Sequence, residues 1–395
     1  MAHVKKVARR TFLAGSAALA AAATTPLPAG AVYGDTPLAG AVSLAVVAPF
    51  TGDSQRLGEQ MGNGVRAAID DANRFRGTLD KAYIMRTFDD QNLLASGLVN
   101  ADFACDDANT IAVIGHLSGR ITEAALQTYV NNKMPVICPA SSYDRLTAHG
   151  YGNILRLTTK DSVEGHLAAA YLKTTLKPKT VVSLYQDGDY GADVAAGFQD
   201  EMLADKIAAS TISFSWDKPD FAGVAKAAAS AKPDVVYLAG LTKDMGGVIA
   251  KLRDAGYAGP LYASQGFFDQ AVIQKYGTQV EGLTVSSPMP PLAIAPGAFR
   301  IKNDFERRYG ALTPLSAFSY AAAQIVISVV RRTRASDRIA VQRALAANAA
   351  FDTVVGSIQF LNNGDPQNPN TYLYTVKDGK WKFVRSALPS SFIVK

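Results

Sequence analysis

The segment IAVIGHLSGRITE, residues 111–123, joins an almost continuous apolar run to residues with helical spacing. The connection between the two is Gly-His-Leu-Ser-Gly-Arg. A buried strand that leads directly into a helix leaves the first N–H groups of that helix without partners. Such groups favour an anion, so the segment predicts a strand end at which a small negatively charged group binds.

The same alternation of strand-like and helical stretches continues on both sides of this segment. AVSLAVVAPF, AYIMRTF, TIAVIG, MPVIC and NILRLTT read as strands, and a second set after Thr159 includes TVVSLYQD, PDVVYLAG and GLTVSSP. Such alternation is typical of parallel sheets with crossover helices. Each set is long enough to form a sheet of its own.

Three helical stretches then follow without intervening strands, at residues 296–309, 314–332 and 337–348. Helices alone cannot start a third sheet, so we expect them to return and cover one already formed. The tail holds a predicted strand, TVVGSIQF, and a hairpin that turns at residues 377–380. The sequence predicts an α/β protein of two lobes, each with its own parallel sheet, and a cleft between them.

Composition supports two globular domains and gives no sign of a nucleic-acid partner. The chain has 395 residues, of which 48% are hydrophobic and 19% charged. Four of the 40 Lys and Arg residues lie in the first 31 positions, which leaves 36 basic against 34 acidic residues, a net charge of +2. Cys105 and Cys138 are either bridged or two buried free thiols.

Residues 1–31 have the pattern of an export signal. MAHVKKVARRTFLAGSAALAAAATTPLPAGA joins a basic head, an apolar Ala-rich run and a small-residue end. Arg9-Arg10 followed by Thr-Phe-Leu resembles the twin-arginine export pattern. We expect cleavage after Ala31 and a mature chain in the periplasm. A retained membrane anchor is the alternative, although the apolar run is short and interrupted by prolines.

The sequence lacks the catalytic motifs that two-lobed α/β enzymes commonly carry. There is no Gly-x-Ser-x-Gly nucleophile elbow, and APFTGDSQ stands where a dinucleotide fingerprint would follow the first strand. The two cysteines have no histidines at zinc-ligand spacing. These patterns favour a binding protein over an enzyme, without a cofactor or a metal.

Six segments occur in an order that resembles the periplasmic leucine/isoleucine/valine-binding proteins, the soluble receptors of branched-chain-type ABC importers. The likeness runs from Ala41 to the C-terminus. The segments are APFTGDSQRLGEQMGNGVRAAIDDAN, AVIGHLSGRITEAAL, MPVICPASSYDRLTAHGYGNILRLTTKDS, SLYQDGDYGAD, PDVVYLAGLTKDMGGVIAKLRDAG and SYAAAQ.

This resemblance implies an α/β fold of the type I periplasmic binding proteins, in which three crossover segments join two Rossmann-like, doubly wound lobes. The crossings are expected near Thr159, Ser287 and Asn363. The implied lobes are residues 41–159 plus 288–363 and residues 160–287 plus 364–395.

The resemblance also implies a function. Hinged closure would trap a small carboxylate-bearing ligand, such as an amino acid, an amide or an aromatic acid, for delivery to a membrane permease. The mature chain is expected to be a monomer that does not itself insert into the membrane. The alternative is a ligand-binding sensory protein that acts on a signalling partner.

In the resembled family, the loop after the third strand holds the ligand carboxylate. That loop contains Ser118, Gly119 and Arg120 here. The family normally has a hydroxyl residue at the position of Gly119. Ser118 would replace that hydroxyl from one residue earlier, or Arg120 would add a charge, unless Ser118 only caps the helix.

A second strand end, Cys138-Pro-Ala-Ser-Ser, matches positions that give the family a carbonyl for the ligand ammonium and a hydroxyl and N–H for the carboxylate. Ala140, Ser141 and Ser142 would fill those places, or the serines would only begin a helix. Tyr190 matches a position that usually holds an aromatic ring facing the ligand.

Three predicted pocket residues depart from an amino-acid site. Gln265 stands where the family often has an acidic residue for the ammonium, and an amide cannot neutralise a buried cation. Leu241 replaces a common aromatic, and Leu57 adds apolar surface. Phe267 and Phe268 either extend the pocket or face the core.

Overall fold

The computed structural model describes residues 32–34, 40–77, 80–215, 220–347, 349–367, 369 and 371–386. The predicted export signal and its cleavage point therefore lie outside the described residues. The side chains of residues 32–34 and 242–244 also lie outside the description.

The first sheet forms from the N-terminal set of strands. Its strands are β1 (Val32–Gly34), β2 (Val42–Ala48), β3 (Tyr83–Asp89), β4 (Thr110–Gly115), β5 (Val136–Cys138) and β6 (Ile154–Arg156). Their spatial order is β1-β3-β2-β4-β5-β6, and only β1, which the sequence did not predict, runs antiparallel to its neighbour. The crossover helices are α1 (Gln55–Arg74), α2 (Leu94–Asp106) and α3 (Gly119–Asn131).

The second sheet repeats this arrangement with the next set of strands. Its parallel strands are β7 (Thr180–Gln186), β8 (Ala208–Phe214), β9 (Val235–Ala239), β10 (Leu261–Ala263) and β11 (Thr284–Ser287). Their spatial order is β11-β10-β9-β7-β8. The helices are α4 (Asp161–Thr175), α5 (Asp189–Ala204), α6 (Phe221–Ser230), α7 (Thr242–Asp254) and α8 (Gln270–Tyr276).

The three successive helices return to the first sheet, as expected from the sequence. They are α9 (Pro296–Tyr309), α10 (Pro314–Thr333) and α11 (Arg338–Leu345). α10 is long and apolar enough to cross a membrane by length and composition. Its apolar residues are instead mostly buried, in the same hydrophobic core as those of β2 and α1.

The predicted single strand TVVGSIQF is wrong, because this segment forms a short hairpin instead. β12 (Phe351–Thr353) pairs antiparallel with β13 (Gly356–Ile358). Gly356 has a φ of +115°, a backbone conformation that residues with a side chain rarely adopt, and it lets the chain reverse after Val354 and Val355.

The last hairpin completes the second sheet. β14 (Tyr372–Lys377) and β15 (Lys380–Ser386) turn between Lys377 and Lys380, as predicted, and β14 pairs antiparallel with β11. The hydrophobic core of the second sheet therefore includes Tyr372, Tyr374 and Val376. The lobe boundaries given above stay predictions.

Both parallel sheets have the same doubly wound strand order, which confirms the predicted fold class. The first parallel strand of each sheet, β2 or β7, lies between the second (β3 or β8) and the third (β4 or β9). The connections on its two sides therefore pass to opposite faces. Ligands of such sheets bind beyond the carboxyl ends of the strands at this switch point.

Candidate functional site

A cavity of about 670 Å³ lies where the carboxyl edges of the two sheets face each other. The first sheet contributes Leu117 after β4 and Ala140 after β5. The second contributes Leu241 after β9, Gln265 after β10 and Ser287 at the end of β11. The cavity thus lies at the location that the fold favours for a ligand.

Four residues predicted for the pocket line this cavity together: Leu57, Ala140, Leu241 and Gln265. Phe268 lines it as well, whereas Phe267 is fully buried in the core of the second sheet. Phe268 therefore extends the pocket, whereas Phe267 faces the core. The described lining of the cavity does not include the other predicted residues, Ser118, Gly119, Arg120, Ser141, Ser142 and Tyr190. The role of every predicted residue in ligand binding stays a prediction.

Gly119 begins α3 and has a steric reason to lack a side chain. A Cβ on Gly119 would approach the Cβ of Tyr143 to 2.3 Å and the Oγ of Ser141 to 3.0 Å. The loop after β5 therefore occupies the space where a hydroxyl side chain would stand. Ser118, one residue earlier, takes the N-cap position without a side-chain hydrogen bond to the helix, so its hydroxyl is not used for capping.

Replacing Gly119 with serine is expected to destabilise the folded protein, although it would insert the hydroxyl typical of the resembled family. Overpacking at this contact should lower the unfolding free energy by about 1–3 kcal/mol. Urea unfolding measures the change. Gly152→Ser is the matched control, because a Cβ there meets no atom within 4 Å. Equal stability of the two variants would show that Tyr143 moves away at little cost.

The two serines after β5 are buried but have different partners. The Ser142 side chain hydrogen-bonds to the Asp161 carboxyl group, and its carbonyl oxygen accepts a hydrogen bond from the Asp161 N–H. The Ser141 hydroxyl oxygen is buried and has no hydrogen-bond partner among the described residues. Ser141, beside Gly119, is thus the serine with an unused hydroxyl next to the start of α3.

Arg120 forms an ion pair across the cleft, with a residue of the opposite side. Its Nε lies 3.1 Å from an Oδ2 atom of Asp189, at the start of α5, and its side chain is 76% exposed. A second exposed pair, Arg56 and Asp269, also joins the two sides, with 2.8 Å between Nη2 and Oδ2. Exposed pairs of this kind add little stability, but they bring the two edges together at the rim.

Glu164, in the first turn of α4, is a buried hub that the sequence did not indicate. One of its oxygens accepts hydrogen bonds from the Gln265 N–H and the Ser286 hydroxyl, each at 2.5 Å, and the other accepts one from the Tyr190 hydroxyl at 3.2 Å. Burial raises the pKa of Glu164 despite these donors. Tyr190 is therefore held by Glu164 and by the Gly266 N–H, which fixes the position of its ring.

A buried ion pair between Arg156 and Asp365 supports the loop after β5. The Arg156 guanidinium donates to the Asp365 carboxylate at 2.8 Å and 3.0 Å, and to the carbonyl oxygens of Ser142 and Tyr143. Lys160 also lies 2.9 Å from Asp365. Burial acts to raise the pKa of Asp365, but the two cations and nearby hydrogen bonds outweigh burial and lower it.

The buried histidine His116 and the two cysteines are part of the protein core. His116 is fully buried, with Nδ1 2.8 Å from Asp90 and Nε2 2.9 Å from the Tyr129 hydroxyl, so both ring nitrogens have hydrogen-bond partners. Cys105 and Cys138 are free and buried, in agreement with the second of the two alternatives. Burial raises the pKa of each thiol to about 12, so both are protonated at neutral pH.

Comparisons with known proteins agree with this architecture. A family model described as periplasmic binding protein matches residues 41–380. The chain is 26% identical to the Leu/Ile/Val-binding protein of Citrobacter freundii over 82% of this chain and 88% of that protein. It is also 26% identical to the leucine-specific-binding protein of Salmonella typhimurium, over 90% of this chain and 93% of that one.

Solved structures show the same fold. A leucine-binding protein of Thermotoga maritima has a TM-score of 0.79 at 23% identity, covering 87% of this chain and 98% of that one. A solute-binding protein of R. palustris in complex with benzoate has a TM-score of 0.78 at 20% identity, covering 89% and 97%. The chain belongs to the family of periplasmic binding proteins that includes the Leu/Ile/Val-binding proteins.

Proposed function

We propose that this protein is the exported, periplasmic solute-binding protein of an ABC importer. It closes its two lobes over a small carboxylate-bearing ligand and delivers that ligand to a membrane permease, acting as a monomer and without catalysis. The observation that carries this proposal is the cavity between the carboxyl edges of two doubly wound sheets. Membership of a substrate-binding family supports it.

The lining of the cavity suggests the chemistry of the ligand. Leu57, Leu117, Leu241 and Phe268 give it apolar walls from both sides. Gln265, which stands where the resembled family often has an acidic residue for the ammonium, is uncharged. An apolar aliphatic or aromatic body without a free amino group therefore fits better than an α-amino acid.

The ligand carboxylate would bind at the start of α3. The N–H groups of the first helical turn have no partners within the helix and favour an anion. The Ser118 hydroxyl makes no capping bond and the Ser141 hydroxyl is unpaired among the described residues. Both serines are thus available to donate hydrogen bonds to a carboxylate.

A thermal-unfolding screen of residues 32–395 against amino acids, amides, and aliphatic and aromatic carboxylates tests the proposal. A ligand at 100-fold its Kd should stabilise the protein by about 2.7 kcal/mol, which raises the melting temperature. We expect a carboxylate without an amino group to give the rise. A rise with leucine alone would contradict the proposed ligand class.

The carboxylate contact is tested with the Ser118→Ala and Ser141→Ala variants by calorimetry. Each hydrogen bond to a charged group contributes about 1.5–3 kcal/mol, so each variant should lower affinity at least tenfold. Ser210→Ala, on β8 of the second sheet, is the control. Loss of ligand uptake after deletion of the gene supports transport. Intact uptake with loss of a ligand response would support the sensory alternative instead.

A further inference from the structure

Three carboxylates meet at the seam between the two lobes, and none of them is among the described residues that line the cavity. Asp144 lies in the loop after β5, Asp161 is the first residue of α4, and Asp193 lies on α5. Their carboxylate oxygens all lie within 4.8 Å of one another. Negative charges this close repel one another unless a cation or protons neutralise them.

Asp161 gives an independent indication that something binds here. It is only 2% exposed, and its Oδ1 atom has no hydrogen-bond partner among the described residues. A buried carboxylate oxygen without a partner is costly. The neighbouring arginines do not supply the missing charge, because Arg120 pairs with Asp189 and Arg145 pairs with Glu123.

Neighbouring donors hold two of the carboxylates in place. The Ser162 N–H donates to an Asp144 oxygen at 3.1 Å, and the Ser162 hydroxyl donates to the other oxygen. The Ser142 side chain hydrogen-bonds to the carboxyl group of Asp161. At metal sites, hydrogen-bond donors orient the ligating carboxylates in the same way.

We propose that Asp144, Asp161 and Asp193 bind one Ca²⁺ ion that joins the two lobes. Carboxylate oxygens are the donors that hard cations prefer, and oxygens within 4.8 Å of one another are close enough to bind one Ca²⁺ ion at about 2.3–2.6 Å. Ca²⁺ accepts irregular coordination geometry, whereas Mg²⁺ demands a near-ideal octahedron and usually keeps several waters, so we assign the site to Ca²⁺. Water molecules complete the coordination. The site depends neither on the identity of the transported ligand nor on transport.

Titration of the EDTA-treated chain, residues 32–395, with CaCl₂ and no other ligand tests this site. With three protein ligands, we expect one saturable site with a Kd of about 10⁻⁴–10⁻³ M. The melting temperature should rise over the same Ca²⁺ range, and NaCl of equal ionic strength should not reproduce the rise. Absence of saturable Ca²⁺ heat up to 10-fold above this range, about 10 mM, overturns the proposal.

Variants separate a metal site from a general effect of charge. Asp161→Asn and Asp193→Asn should each weaken Ca²⁺ binding at least tenfold, whereas Asp200→Asn, an exposed residue two turns further along α5, should not. In EDTA, Asp161→Asn should melt at or above the wild-type temperature, because it removes a buried negative charge. Unchanged Ca²⁺ affinity in both Asp161→Asn and Asp193→Asn would contradict the proposed site.

Discussion

Replacing Asp365 with alanine is expected to lower the unfolding free energy by about 3–5 kcal/mol. The reason is the burial of Arg156, whose side chain is fully inaccessible to solvent and whose guanidinium would lose its counter-charge. The Thr147 hydroxyl, which donates to Asp365 at 2.7 Å, would lose its acceptor too. Urea unfolding, followed by circular dichroism, measures the change.

The control for this variant is Asp254→Ala. Asp254 also pairs with a basic residue, Lys251, but both side chains are largely exposed. Removing an exposed pair typically changes stability by about 0–1 kcal/mol. A similar small loss for Asp365→Ala would mean that water or another acidic group reaches Arg156.

The ion pair between Arg156 and Asp365 should also affect how the unfolding free energy changes at acid pH. The folded-state pKa of this carboxyl lies below its ordinary value, so its contribution is present above the unfolded pKa of about 3.9. That contribution is lost as the pH falls through the folded pKa. Unfolding measured from pH 6 downward should therefore show a smaller acid-induced loss in Asp365→Ala than in the wild type.

The second large effect is expected for Glu164→Leu, at about 2–4 kcal/mol of unfolding free energy. Leucine removes the acceptor and leaves three buried donors, from Ser286, Gln265 and Tyr190, without a partner. Each unsatisfied donor costs about 1–3 kcal/mol, partly offset because a buried charge is removed. Ligand affinity should fall as well, because Gln265, which lines the cavity, loses the acceptor of its backbone N–H.

Glu164→Gln is the matched variant, because an amide oxygen still accepts hydrogen bonds at this position. Its stability should stay within about 1 kcal/mol of the wild type. The raised folded pKa of Glu164 means that wild-type stability falls as the pH rises above about 4.3 until the folded pKa is passed. Glu164→Gln should lack this fall. Equal losses in the leucine and glutamine variants would contradict a hydrogen-bonding role.

Much of the fold could be predicted from local pattern. Apolar runs such as residues 110–115 alternate with helical stretches, and this alternation defines two parallel sheets because consecutive parallel strands require crossover helices. The carboxyl ends of those strands then give the general place of the cleft. One prediction that failed is the single strand TVVGSIQF. Two adjacent valines indicate a strand, while Gly356 permits a reversal that the apolar pattern does not reveal.

The sequence by itself determined the alternation of strands and helices that forms two parallel sheets, because periodicity depends on neighbours along the chain. The resemblance to a known family implied four residues of the cavity lining. Tertiary structure alone decided which polar groups meet. Glu164 accepts from Gln265 across 101 positions, and Arg156 binds Asp365 across 209. Pairings this distant leave no local pattern, since each of these residues alone reads as an ordinary polar surface residue.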